Sequence, residues 1–113
     1  DIPEVMQNPF FAELMRGIDV FACPATPRAA FPVTHDFLYG PIPAGRDPWQ
    51  MRYTVPFNFS GLPSISLPCG LSADGLPMSV QFAGNALSED VLVGVGHAYE
   101  QATDWHRMHP PGW

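Results

Sequence analysis

The residues able to do chemistry in this 113-residue chain are few, and none comes with a full set of helpers. Cys69, within Pro68-Cys69-Gly70, could serve as a thiol nucleophile with His97 as its base and a carboxylate to orient the imidazole. Its turn-like setting would offer backbone N–H groups to an oxyanion. Nothing in the spacing forces Cys69 and His97 together, however, and a small Cys commonly packs as a hydrophobe, so structural packing is the preferred reading. His106 and His109 stand three apart and could bring two imidazoles to one metal on a helix. Zinc needs three or four ligands, and this stretch runs into Pro110-Pro111, so no metal site is assigned. Ser60, Ser64, Ser66 and Ser72 lie among glycines. Asn58-Phe59-Ser60-Gly61 does not fit the G-x-S-x-G nucleophile elbow, and serines of this kind more often satisfy turns and strand ends. No phosphate-cradling glycine loop occurs. The five basic residues are all arginines, which removes a lysine base or Schiff base from this chain. The residues alone therefore hold no complete catalytic set.

Composition narrows the partners. The formal net charge is −6, which argues against nucleic acid and against an anionic membrane surface, since both need a basic face. Charged residues make up only 14%, well under the usual quarter, while 46% are hydrophobic. A chain so poor in charge has little solvent-facing surface or expects a neighbour to cover it. Cys23 and Cys69 could form one bridge, but two cysteines do not make a disulfide framework. No signal peptide and no transmembrane run is readable, so a cytoplasmic protein is expected. The length fits one domain, and the first residue, Asp1 rather than Met, suggests processing, truncation or a fragment.

The elements that must position these residues centre on 53–84. Strand-like runs at 64–67 and 78–83 flank a turn at 69–75, where Gly and Asp supply the conformations that β-carbons disfavour. Pro56, Pro63, Pro68 and Pro77 are expected at strand starts or ends, where a missing N–H costs no ladder bond. In the second run Met78, Val80 and Phe82 should face one side, with Ser79, Gln81 and Ala83 on the other. Upstream, 9–17 reads as an amphipathic helix and 18–23 as a buried strand stopped by Pro24. The stretch 28–51 reads as a functional or covered loop with one helical turn near 48–52. Ser88 is the expected N-cap of a last helix, with Glu89 and Asp90 against its dipole. Val91, Leu92, Val95, Ala98, Tyr99 and Ala102 form its apolar face. Gly94 and Gly96 each weaken that helix by roughly 1 kcal/mol, so close packing should compensate at both.

Six pieces in order carry a resemblance. They are Ile18-Asp-Val-Phe-Ala-Cys-Pro-Ala-Thr-Pro27, Tyr53-Thr-Val-Pro-Phe-Asn58 with Gly61-Leu-Pro63, Leu67-Pro-Cys-Gly70, Asp74-Gly-Leu-Pro77, Val80-Gln-Phe-Ala-Gly84 and Trp105-His-x-x-x-Pro110. Together they resemble the C-terminal region of the amidase signature family, serine amidases that hydrolyse carboxamides or move ammonia from glutamine. The resemblance implies an α/β chain, with residues 1–113 as a C-terminal fragment of that family's mixed-sheet α/β/α fold. It implies a Ser-cisSer-Lys triad lying upstream of this chain, no metal or organic cofactor, and an inactive chain when taken alone. Its partner would be a small-molecule amide, held together with the missing N-terminal part, and a homo-oligomer is allowed.

One departure bears on substrate. Proteins of the glutamine-dependent tRNA amidotransferases resemble this segment but carry an Asp three residues before the Thr of T-x-P, where it can hold a substrate ammonium. Met51 stands there, and a thioether cannot pair with an amino group, so the resemblance implies a neutral, apolar amide. Ser79 likewise replaces the Gly usual in P-x-G-x-Q, a matter of packing. Met51, Tyr53 and Phe57 are the expected substrate-lining residues, against ordinary core and loop packing as the plainer reading. The competing class is a non-catalytic module, stand-alone or degenerate, that binds a partner or oligomerises. A Cys69 thiol hydrolase is the third.

Overall fold

The computed structural model describes residues 9–33, 35 and 49–113. Its frame is an antiparallel sheet of β1 (Val20–Pro24), β2 (Ser64–Leu71) and β3 (Pro77–Gly84) in the order β1-β3-β2. The last strand in sequence therefore sits in the middle, so both of its edges are paired. Cys23 lies opposite Gln81 on one side, while Ser66 lies opposite it on the other. With helices on the sheet, the chain is α/β as expected.

The β2–β3 hairpin is tighter than the sequence suggests. Ser72 N–H donates to the Leu76 carbonyl at 2.8 Å and Gly75 N–H to the Ser72 carbonyl at 2.9 Å. Gly75 has φ 77°, the left-handed position that a three-residue hairpin loop needs. The Ser72 hydroxyl accepts from Leu76 N–H at 3.1 Å. The turn expected at 69–75 is thus confined to the last residues of that span, because β2 continues to Leu71. It continues through a bulge: Pro68 faces Ser79 and Gly70 faces Met78, leaving Cys69 as the extra residue. Pro68 has no N–H to donate, so an irregularity in the ladder forms there at little cost.

Helix α1 (Pro9–Leu14) is shorter than the expected 9–17 and unwinds through turns to Gly17, whose φ is 73°. A second helix, α2 (Val55–Ser60), occupies residues for which the sequence suggests no helix. Pro56 lies in its first turn rather than at a strand end, where its absent N–H would lack a helical partner anyway. Gly61, at φ 67°, ends α2 by donating to the Phe57 carbonyl at 2.9 Å. The buried Ser60 hydroxyl donates to that same carbonyl at 3.3 Å and accepts from Leu62 N–H at 3.3 Å. Of the loop expected over 28–51, residues 34 and 36–48 lie outside the described residues. The helical turn expected at 48–52 is found at 49–54.

Helix α3 (Glu89–Ala102) packs on the sheet face that carries Ile65, Leu67 and Phe82. Ser88 is at its N-cap position but does not cap it: the hydroxyl donates backwards to the Asn85 carbonyl at 2.7 Å. The reason is local, since the turn 85–88 offers that acceptor first. Leu92 and Gly96 are the buried residues of the helix. Val91, Ala98 and Ala102, expected on the same face, are exposed, so the sheet covers a narrower stripe than the sequence paints. Close packing compensates at one glycine only. A β-carbon on Gly96 would lie 3.2 Å from Ile65 Cδ1, whereas one on Gly94 would meet nothing within 4 Å.

Where β3 turns into α3, Gly84 has no room for a side chain. A β-carbon there would collide with Ser88 Oγ and touch Leu92 Cγ at 3.4 Å. Gly84→Ala should lower stability by about 1–3 kcal/mol, and Ser88→Ala in the same chain should restore most of it. Chemical denaturation of the two single variants and the double variant reads this coupling.

Candidate functional site

The central strand β3 alternates its side chains between two covered faces, as expected. Toward α3, the Phe82 ring meets Tyr99 edge-on with centroids 5.8 Å apart. The Tyr99 hydroxyl reaches on to donate to the Pro68 carbonyl at 3.3 Å. Desolvation, with the Cys69 thiol beside it adding to the effect against an opposing Thr103 contact, holds Tyr99 above the ordinary tyrosine value of 10.0. The neutral, donating hydroxyl is therefore the form present near neutral pH.

The opposite face carries α2 and the segment before it. Phe57 of α2 packs against Phe21 of β1, with ring centroids 6.5 Å apart. On this face of the sheet lies Gln81, a primary amide only 4% exposed. An amide buried that far needs partners. Its Nε2 donates to the Tyr53 carbonyl at 2.8 Å and approaches Cys23 Sγ at 3.5 Å. Residues 49–54 are shaped by their own bonds. Arg52 N–H and Nε–H both donate to the Trp49 carbonyl, at 3.0 and 2.6 Å, and Val55 N–H donates to the Met51 carbonyl at 2.9 Å.

The three expected lining residues are thus close in the chain but differ in environment. Met51 is 62% exposed, Tyr53 is half-buried, and Phe57 is buried at 8%. None of them lines the half-open cavity of about 480 Å³ found near the far end of the sheet. That cavity is walled by Ala22, Pro24, Cys69, Met78 and Val80, with Thr26 to Arg28 along one side. The Thr26 hydroxyl donates to the Arg28 carbonyl at 2.8 Å, which folds the exit from β1 onto itself.

The alternative chemistries fare differently. Cys69 lines the cavity together with Cys23, and both thiols are free, so the bridge is not formed. His97 is on the exposed side of α3 and is not among the residues around the cavity. Among the described residues, no three of His, Cys, Asp and Glu gather as a metal would need. His106 is half-buried in the 3-10 turn Trp105–Arg107, and its Nδ1 has no partner among the described residues. Ser60 and Ser72 satisfy a helix end and a hairpin turn. Gln81 is the site residue that sequence reasoning passed over. Its signal was a long amide in the middle of a strand whose only other polar side chain is Ser79.

The sequence profile described as Amidase matches residues 5–93. The chain belongs to the amidase family. A glutamyl-tRNA(Gln) amidotransferase protein from Picosynechococcus sp. is 42% identical over 107 residues, covering 88% of this chain and 20% of the relative. The protein of the same name from Microcystis aeruginosa is 43% identical over 104 residues, with the same coverage. Among solved structures, 6-aminohexanoate cyclic dimer hydrolase superposes with a TM-score of 0.73 at 31% identity, over 88% of this chain and 22% of that one. This amidase chain therefore spans about a fifth of the length of the curated relatives it matches. No helix among the described residues is long and apolar enough to cross a membrane.

The contrast between Met51 and Phe57 gives a direct check on their roles. Phe57→Ala should cost about 3–5 kcal/mol of stability, because it empties the space against Phe21. Met51→Ala should stay within about 0.5 kcal/mol, as exposed substitutions do. Thermal unfolding of both variants measures the difference.

Proposed function

We propose that this chain is the supporting C-terminal segment of an amidase that hydrolyses a carboxamide C–N bond. The observation that carries this reading is the match to the amidase family across residues 5–93, in a chain about a fifth as long as its relatives. The parent reaction is attack by a serine on the amide carbon. The C–N bond breaks, the nitrogen leaves as an amine or ammonia with a proton, and water then cleaves the acyl-serine ester. The Ser-cisSer-Lys triad lies outside this chain, which contains no lysine. No metal or organic cofactor enters the scheme. Residues 1–113 form one segment of the amidase domain, and the location is cytoplasmic. Its net charge of −6 argues against nucleic acid as a partner of the segment.

Within that enzyme the segment acts as scaffold and as one wall of the acyl pocket. Met51, Tyr53 and Phe57 are its contribution, with Met51 and Tyr53 nearest the substrate and Phe57 anchoring α2 behind them. The exposure of Met51 supports this, since an apolar side chain left open here is available to a ligand or to the rest of the enzyme. A thioether has no charge to offer a substrate ammonium. The favoured substrate is accordingly a neutral, apolar amide rather than glutamine.

Met51→Asp in the full-length enzyme tests the reading. The ratio of kcat/KM for glutamine over a neutral aliphatic amide should rise by about tenfold or more, the effect of roughly 1.4 kcal/mol of charge pairing. An unchanged ratio would remove Met51 from the pocket.

A further inference from the structure

We propose that Gln81 is a positioning residue for the substrate wall, fixing the height of residues 51–53 above the sheet. The proposal rests on the reading that Met51 and Tyr53 face the substrate. β3 is paired on both edges, so Gln81 projects from the best-held backbone among the described strands. Its amide is 4% exposed and its Nε2–H donates at 2.8 Å to the main-chain carbonyl of Tyr53, 28 residues earlier. A main-chain acceptor matters here. The bond grips the backbone of the segment whatever the Tyr53 ring is doing.

The bonds of Arg52, Thr54 and Val55 to the Trp49 and Met51 carbonyls lie within the segment and give it its shape. They do not attach it to the sheet. The Gln81 bond does, only two residues beyond Met51, and the Phe57–Phe21 contact secures the helix that follows. Cys23 Sγ, 3.5 Å from the same nitrogen, keeps the amide pointed along this line. Loss of the donor would leave the Tyr53 carbonyl without its partner on the sheet, and the segment would move to find water. A pocket wall displaced by an ångström loses productive substrate geometry.

The test compares Gln81→Met, which keeps length and removes the donor, with Gln81→Asn, which keeps the amide but draws it back by one methylene. Both are made in the full-length enzyme and assayed on acetamide and on a longer aliphatic amide. Gln81→Met should raise KM for the longer amide by about tenfold with kcat within threefold, and leave acetamide nearly unchanged. Gln81→Asn should shift KM in the same direction by less, and it carries the test if Gln81→Met does not fold. Unchanged KM in a variant of lowered melting temperature would overturn the proposal, as would an equal loss of kcat on both amides. Met51→Ala in the same assay separates the two levels. If it leaves KM unchanged, the wall reading fails. If it shifts KM while neither Gln81 variant does, only the role of Gln81 fails.

Discussion

A primary amide buried in the middle of a sheet is the constraint around which this segment is arranged. Gln81 is closed off from water, and the ladder on both sides of β3 uses backbone groups, so its side chain must find acceptors above the sheet. It finds one in the Tyr53 carbonyl. That requirement ties a segment with no strand pairing of its own to the strand with the most. It also orders the layers: α2 and residues 49–54 on the Gln81 face, α3 on the Phe82 face. A polar group placed at the centre of an apolar strand specifies where the neighbouring loop must sit, which hydrophobic contact alone does less sharply.

Packing at the second face follows a complementary rule, in which absent side chains set the distances. Gly84 lets the chain turn from β3 into α3 beside Ser88 and Leu92, and Gly96 lets the helix approach Ile65 and Leu67. The helix is consequently close to the sheet along one narrow stripe. Several of its other apolar residues, Val91, Val93, Ala98 and Ala102, stay exposed. Together with the apolar cavity at Cys69, Met78 and Val80, they give the segment uncovered surface of the kind expected where more protein packs. The low charge content points the same way.

Much of this frame was legible in the residues. Alternation in 78–83 revealed both faces of β3, and the Asp74-Gly75 pair marked the hairpin turn. What escaped did so for identifiable reasons. The helix α2 was hidden because Val55, Pro56, Phe57 and Phe59 are strand formers or breakers by propensity. Its formation depends on Pro56 falling in the first turn and on Phe57 docking against Phe21, a contact between residues far apart in the chain. Ser88 is a favourable N-cap by residue type, with Glu89 and Asp90 after it, and the nearer Asn85 carbonyl takes its hydroxyl instead. Gln81 was visible as a letter in a motif but not as a tether, because its partner is a backbone carbonyl that sequence does not mark. For the chemistry, the missing lysine and the incomplete cysteine and histidine sets were informative as they stood. Family membership then gave that emptiness its meaning.

The proposed role of this segment is to shape and support an amidase without supplying its nucleophile. Labelling the full-length enzyme with a fluorophosphonate, which phosphonylates reactive serines with loss of fluoride, and mapping the adduct by peptide mass spectrometry reads this directly. One stoichiometric adduct is expected on a serine outside residues 1–113, with amidase activity lost in proportion. An adduct on Ser60, Ser64, Ser66 or Ser72, or amidase activity abolished by Cys69→Ala, would contradict it.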